Sequence, residues 1–77
     1  MALELYVMRG CPHCADLRED LAFDGRDVIE HDVERDPQAR ARLHALVGPN
    51  ALVPVLVEDG QVAQIGRHGR GCALGPG

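Results

Sequence analysis

The sequence predicts a small α/β domain with the element order β-α-β-α-β-β. Three observations carry that prediction. Cys11-Pro12-His13-Cys14 joins a short apolar run to a helical pattern, and Asp36-Pro37 opens a second helical pattern directly after a second apolar run. Asp59-Gly60 then lies between two β-branched runs, a hairpin signal. A strand-helix-strand start implies a parallel pair with a right-handed crossover, so the closing hairpin adds antiparallel strands to a parallel start.

Each element has its own signature. Leu3-Glu4-Leu5-Tyr6-Val7-Met8 places Leu3, Leu5 and Val7 on one face and Tyr6 and Met8 on the other. Apolar groups on both faces suit a central strand. A helix runs from Pro12 to about Phe23, with Cys14, Leu17 and Leu21 at helical spacing and Asp16, Arg18, Glu19 and Asp20 toward solvent. Asp24-Gly25 closes it, with the glycine at C′. Val28–Val33 is a second strand whose inward set is Ile29, His31 and Val33; its largely acidic other face places it at an edge. Asp36 caps the next helix and Pro37 starts it. Ala39, Leu43, Leu46 and Val47 form its buried stripe, Arg40, Arg42 and His44 its wet side, and Gly48-Pro49 its stop. Strands follow at residues 53–57 and 61–65. Beyond Ile65 the Gly-rich stretch predicts a turn, at most a short helical segment near Arg70–Leu74, and a loose end.

Composition bounds the function. The 77 residues are expected to form one domain, 1–77, with 67–77 as a Gly-rich tail. A chain this short buries roughly 60% of its unfolded surface. With Tyr6 and Phe23 as the aromatics and no Trp, the core is expected from Leu, Val, Ile and Ala. A net charge of −4 argues against nucleic acid as a partner, which needs a basic footprint. Met1-Ala2-Leu3-Glu4 lacks the pattern of a secretory signal. No apolar run approaches the roughly 20 residues that span a bilayer. A cytoplasmic protein with no membrane partner is expected. Three cysteines are too few for a secreted disulfide scaffold.

The chemistry concentrates at Cys11 and Cys14. A Cys-x-x-Cys beside alternating strands and helices suggests a thiol–disulfide redox site. Gly10 permits a sharp turn, and Pro12 suits the first helical turn. Cys11 would then sit at a helix N-terminus, where unpaired N–H groups and the helix dipole favour a thiolate. Arg9 adds a nearby cation. Cys14, one turn on, would face inward, placed to attack a mixed disulfide on Cys11. Two other readings stand beside this one: a pair of core or turn cysteines, and a zinc or other soft-metal site.

With Cys11-Pro12-His13-Cys14, the β-α-β-α-β-β order and Val53-Pro54 opening the third strand, the chain resembles the glutaredoxins of the thioredoxin superfamily over about residues 3–66. The resemblance implies a thioredoxin-like (glutaredoxin-type) α/β fold with the third helix reduced or absent. It implies a cis Val53–Pro54 bond packed beside the cysteines, Cys11 as nucleophile and Cys14 as resolving cysteine. Arg9, Pro12, His13 and Pro54 would support them. The Val53 backbone would hold a substrate's peptide or the cysteinyl unit of glutathione, with Pro54 and Gly66 completing the binding set. A Gly-Gly-acidic stretch usual in the family reads Gly66-Arg67-His68-Gly69 here, so only Gly66 matches. His13 stands where glutaredoxins commonly have Tyr, and the resulting Cys-Pro-His-Cys is similar to that of the periplasmic disulfide oxidases. There, a His can support the thiolate; a solvated His with no effect is the simpler alternative.

The implied function is a thiol–disulfide oxidoreductase acting on protein or glutathione mixed disulfides, with no bound cofactor. Glutathione would serve as co-substrate, and a reductase or glutathione as electron donor. The alternative is a zinc or iron–sulfur module using Cys11, Cys14 and Cys72, with His13 or His68 as a further ligand. Cys72 would otherwise be a second resolving thiol, a glutathionylation site, an intermolecular cross-link or an incidental surface cysteine. His31 is expected to be a satisfied half-buried histidine and His44 an exposed one. Asp16, Glu19, Asp20 and Asp24 form a solvated acidic face or a dock for a basic reductase.

Overall fold

The structure is a computed structural model that describes residues 3–74. Met1, Ala2 and residues 75–77 of the expected tail lie outside the described residues. The elements are β1 (Leu3–Val7), α1 (Pro12–Phe23), β2 (Ile29–Asp32), α2 (Pro37–Val47), β3 (Leu52–Val53), β4 (Val55–Glu58), β5 (Gln61–Ile65) and β6 (Cys72–Ala73). The main sheet has the order β2-β1-β4-β5. β1 runs parallel to β2 and antiparallel to β4, and β4 runs antiparallel to β5. β1 is thus interior and β2 an edge, as its acidic face implied.

The helices cover opposite faces of this sheet. Leu5 stands opposite Leu56, and Leu56 lines one cleft with Leu17 and Leu21 of α1. Tyr6, one residue on and so on the other face, accepts a 3.4 Å hydrogen bond from Arg42 Nε on α2. Local chemistry sets each helix's ends. The Asp36 side chain accepts from the backbone N–H groups of Gln38 at 3.0 Å and Ala39 at 3.3 Å, satisfying two orphan donors of the first turn. At the end of α1, Gly25 has φ 71°. Its N–H reaches the Ala22 carbonyl and that of Arg26 reaches Leu21, the paired bonds of a Schellman close. The β4–β5 hairpin turns on Asp59 (φ 51°) and Gly60 (φ 82°), both left-handed as a type I′ turn requires.

The core contains Leu5, Val7, Leu17, Leu21, Val33, Ala39, Leu43 and Val53, joined by Val55, Leu56 and Val57. Cys14 faces inward as expected, but the isoleucines do not join the core: Ile29, expected inward, and Ile65 are largely exposed, while Tyr6, 1% exposed, and Cys11 are buried. Ile29 and Ile65 lie on the two edge strands, where a sheet of this width leaves apolar side chains uncovered. Leu46, expected in the buried stripe of α2, is likewise exposed. His44 is half-buried rather than exposed, its Nδ1 2.9 Å from the Gly48 carbonyl at the helix end. His31 is half-buried and satisfied as expected, 2.9 Å from Glu4 Oε1 and stacked on Tyr6.

The largest departure lies beyond Ile65. The expected turn is present, but residues 70–74 form no helical segment: residues 66–74 make a second tight hairpin whose end is paired as β6. Arg67 and Arg70 pair through both backbone bonds, 2.7 and 3.0 Å. His68 (φ 54°) and Gly69 (φ 75°) make the turn. β6 then pairs antiparallel with β3, Val53 opposite Cys72 and Leu52 opposite Ala73. Among the described residues no third helix occurs.

Candidate active site

The turn into α1 places the first cysteine. The Cys11 N–H donates to the Met8 carbonyl at 3.3 Å, with Gly10 at φ 80° in the position where a type II turn needs a left-handed residue. Cys11 is the N-cap of α1 and Pro12 its first residue. Cys11 therefore sits at the positive dipole end of the helix, although its side chain makes no capping hydrogen bond. Cys14 follows one turn later, 1% exposed among Leu17 and Leu21. Cys11, Cys14, Arg9 and Pro12 line one open cleft of about 320 Å³ with Met8, Ala15 and Arg18. His13 is half-buried beside this group.

The bonding of the sulfurs differs from the expected Cys11–Cys14 pair. Cys11 is disulfide-bonded to Cys72, 61 residues away, with a Cα–Cα distance of 6.2 Å. Cys14 is the free cysteine. Burial pushes the Cys14 thiol above its ordinary value of 9.0, opposed by a hydrogen bond with the Met8 backbone and by the Arg18 charge. In this state Cys14 is a buried free thiol.

Val53 and Pro54 meet the cysteines through the same disulfide. The Val53–Pro54 bond is cis, as the resemblance implied, and Val53 is fully buried with Cys72 paired to it. Gly66 donates its N–H to the Pro54 carbonyl at 2.6 Å. A Cβ at Gly66 would run into the Arg70 carbonyl oxygen, so this glycine serves the return hairpin. Gly71 is the closer case. A Cβ there would collide with the Val53 carbonyl oxygen, and its absence lets the returning strand lie against β3.

Part of the acidic face of α1 is not free. Arg67 Nε donates to Asp20 Oδ2 at 2.7 Å, with Asp16 Oδ2 3.8 Å from its Nη1. The Arg67 hydrogen bond holds the Asp20 carboxyl below its ordinary 3.8. Sequence reasoning assigned Arg67 and Gly71 no role and left Cys72 open. The available signal was His68-Gly69 between two arginines, a pair suited to left-handed turn positions. The metal alternative lacks its geometry: among the described residues no group of three Cys, His, Asp or Glu is placed to hold a metal.

Comparison with known structures gives the class first. A crystal structure of the thioredoxin-like protein BC3987 shares 33% identity with this chain at a TM-score of 0.71, covering 79% of this chain and 82% of its own. A mutant of that protein aligns with the same identity and TM-score, covering 81% of its own chain. The fold is thioredoxin-like. Residues 3–63 match the glutaredoxin family, and the chain belongs to that family. Comparison with curated proteins returned no match. The glutaredoxin domain supports a thiol–disulfide oxidoreductase function, and the family generally works with glutathione and disulfide substrates. No described helix is long and apolar enough to cross a membrane.

Proposed function

We propose that the protein is a dithiol–disulfide oxidoreductase in which Cys11 is the nucleophile and Cys14 the resolving cysteine. The observation that carries this reading is the placement of Cys11 at the α1 N-cap with its sulfur already in a disulfide, while Cys14 waits as a free thiol one turn away. The Cys11 thiolate, favoured by the helix dipole, attacks one sulfur of a substrate disulfide. A mixed disulfide forms and one substrate thiolate leaves. Cys14 attacks the Cys11 sulfur, releasing the second thiol and leaving a Cys11–Cys14 disulfide. Glutathione or a reductase then supplies two electrons to restore the dithiol. Arg9 and Arg18 flank the cleft as cations. Val53, just ahead of the cis Pro54, offers its backbone to the substrate.

The test is reduction of a small mixed disulfide coupled to glutathione reductase, beside reduction of a protein disulfide through thioredoxin reductase. Cys11→Ser abolishes both activities. Cys14→Ser keeps the glutathione-coupled turnover, where glutathione itself resolves Cys11, and loses the reductase-coupled one. Turnover undiminished in Cys11→Ser, or silence of the wild type in both assays, would overturn the reading.

A further inference from the structure

We propose that Cys72 is a third redox thiol of this site and that residues 67–74 are a tethered substrate surrogate: the segment closes the site while Cys72 is joined to Cys11, and opens it when Cys14 takes Cys11 over. This rests on the dithiol chemistry proposed above.

Cys72 occupies the site in the manner expected of a substrate cysteine. Its sulfur is bonded to the Cys11 sulfur, and its backbone runs antiparallel to Leu52–Val53, the stretch assigned to substrate. The Leu74 N–H extends the pairing to the Ala51 carbonyl at 3.0 Å. In this closed form Cys11 is only 5% exposed, and its sulfur is already committed to Cys72.

The segment is built to return. Gly71 leaves room for the Val53 carbonyl, and Gly66 for that of Arg70. Arg67 ties the turn to Asp20 and Asp16 of α1. The Arg67 clamp does not involve sulfur, so it keeps the segment tethered to α1 after the disulfide is broken and β6 leaves β3. Tethering makes the second encounter intramolecular, with an effective concentration far above that of a free thiol.

The exchange balances without any outside reagent. The Cys14 thiolate attacks the Cys11 sulfur, the Cys11–Cys72 bond breaks, and Cys72 leaves as a thiolate that takes up the proton Cys14 gave. One disulfide and one thiol are present before and after. The closed form arises from the same chemistry as turnover. After Cys11 attacks a substrate disulfide, Cys72 instead of Cys14 displaces the substrate thiol, and the substrate disulfide is the oxidant.

Trypsin separates the two states directly, because Cys11 and Cys14 share the peptide Gly10–Arg18 while Cys72 lies on Gly71–Gly77. Fully reduced wild type, Cys14→Ser, Cys72→Ser and Gly71→Val are treated with glutathione disulfide, quenched in acid, alkylated and mapped by mass spectrometry. In the wild type the expected result is both forms, the cross-linked peptide pair and the internal Cys11–Cys14 disulfide. The two should exchange after the oxidant is removed. Cys14→Ser should yield the cross-linked pair alone, and Cys72→Ser should keep disulfide-reductase turnover. Gly71→Val should form the cross-link about tenfold more slowly while the Cys11–Cys14 disulfide forms at the wild-type rate.

Complete alkylation of Cys72 in both wild type and Cys14→Ser, with Cys11 oxidised, overturns the proposal. So does a cross-link that never exchanges to Cys11–Cys14, which would make it an inert staple, or one that forms unchanged in Gly71→Val. In those cases turnover by Cys72→Ser leaves the oxidoreductase reading standing. Loss of that turnover together with an unreactive Cys11 removes the oxidoreductase reading and this one with it.

Discussion

Cys14 shows how burial sets the reactivity of one atom. The thiol lies on the inward stripe of α1, and the lost solvation raises its pKa above 9.0. A raised folded-state value means that the folded chain holds this proton more tightly than the unfolded chain. The associated stability is present in full below pH 9.0 and is lost as pH rises through the folded value. Urea denaturation from neutral pH upward should show stability falling above that point in the wild type, and a shallower fall in Cys14→Ala. Iodoacetamide should modify native Cys14 slowly at neutral pH and rapidly once urea is added. Gly71 is constrained by a single missing atom. Gly71→Ala brings its Cβ against the Val53 carbonyl oxygen, and overpacking of this kind costs about 1–3 kcal/mol, read as a lower urea midpoint in the oxidised protein.

At the level of elements, most boundaries follow from chemistry carried within a few residues. Asp36 is the clearest case: two backbone N–H groups bond to its carboxylate. Asp36→Ala should lower stability by about 1 kcal/mol, measurable as a shifted urea midpoint with unchanged slope. The return hairpin depends instead on a distant partner. Arg67 depresses the Asp20 carboxyl, so the clamp stabilises the fold above pH 3.8 and its contribution is lost as pH falls through the lower folded value. Arg67→Ala should lower amide-exchange protection factors at Arg70 and Leu74 while leaving those of β1 and β4 unchanged. The hairpin's strands were not legible in the sequence. Cys72-Ala73 is two residues long, too short for any periodicity, and only the edge offered by Leu52–Val53 makes it a strand.

For the molecule as a whole, the Cys11–Cys72 bond encloses nearly the entire described chain. A cross-link over 61 residues removes much of the unfolded ensemble's freedom, and such a bond typically contributes about 2–4 kcal/mol. That is a large share of the stability of a domain with so thin a core. Denaturation of the Cys14→Ser protein with and without reductant should differ by about that amount, whereas Cys72→Ser should show no such dependence. A reduced protein is therefore expected to be the less stable form and the one with its β3 edge free.

The sequence by itself determined the α/β class, the two helices with their caps, the strand order of the main hairpin, and the placing of Cys11 at a helix N-terminus. Each rests on interactions within one turn of helix or one hairpin, where the residues that interact are neighbours in the chain. Only the tertiary structure decided which sulfur Cys11 holds. Cys14 is three residues from it and Cys72 is 61. The choice turns on a backbone gap at Gly71, an arginine clamped to α1 and a short edge beside the cis Pro54. Those are long-range contacts among residues whose local pattern carries no trace of one another.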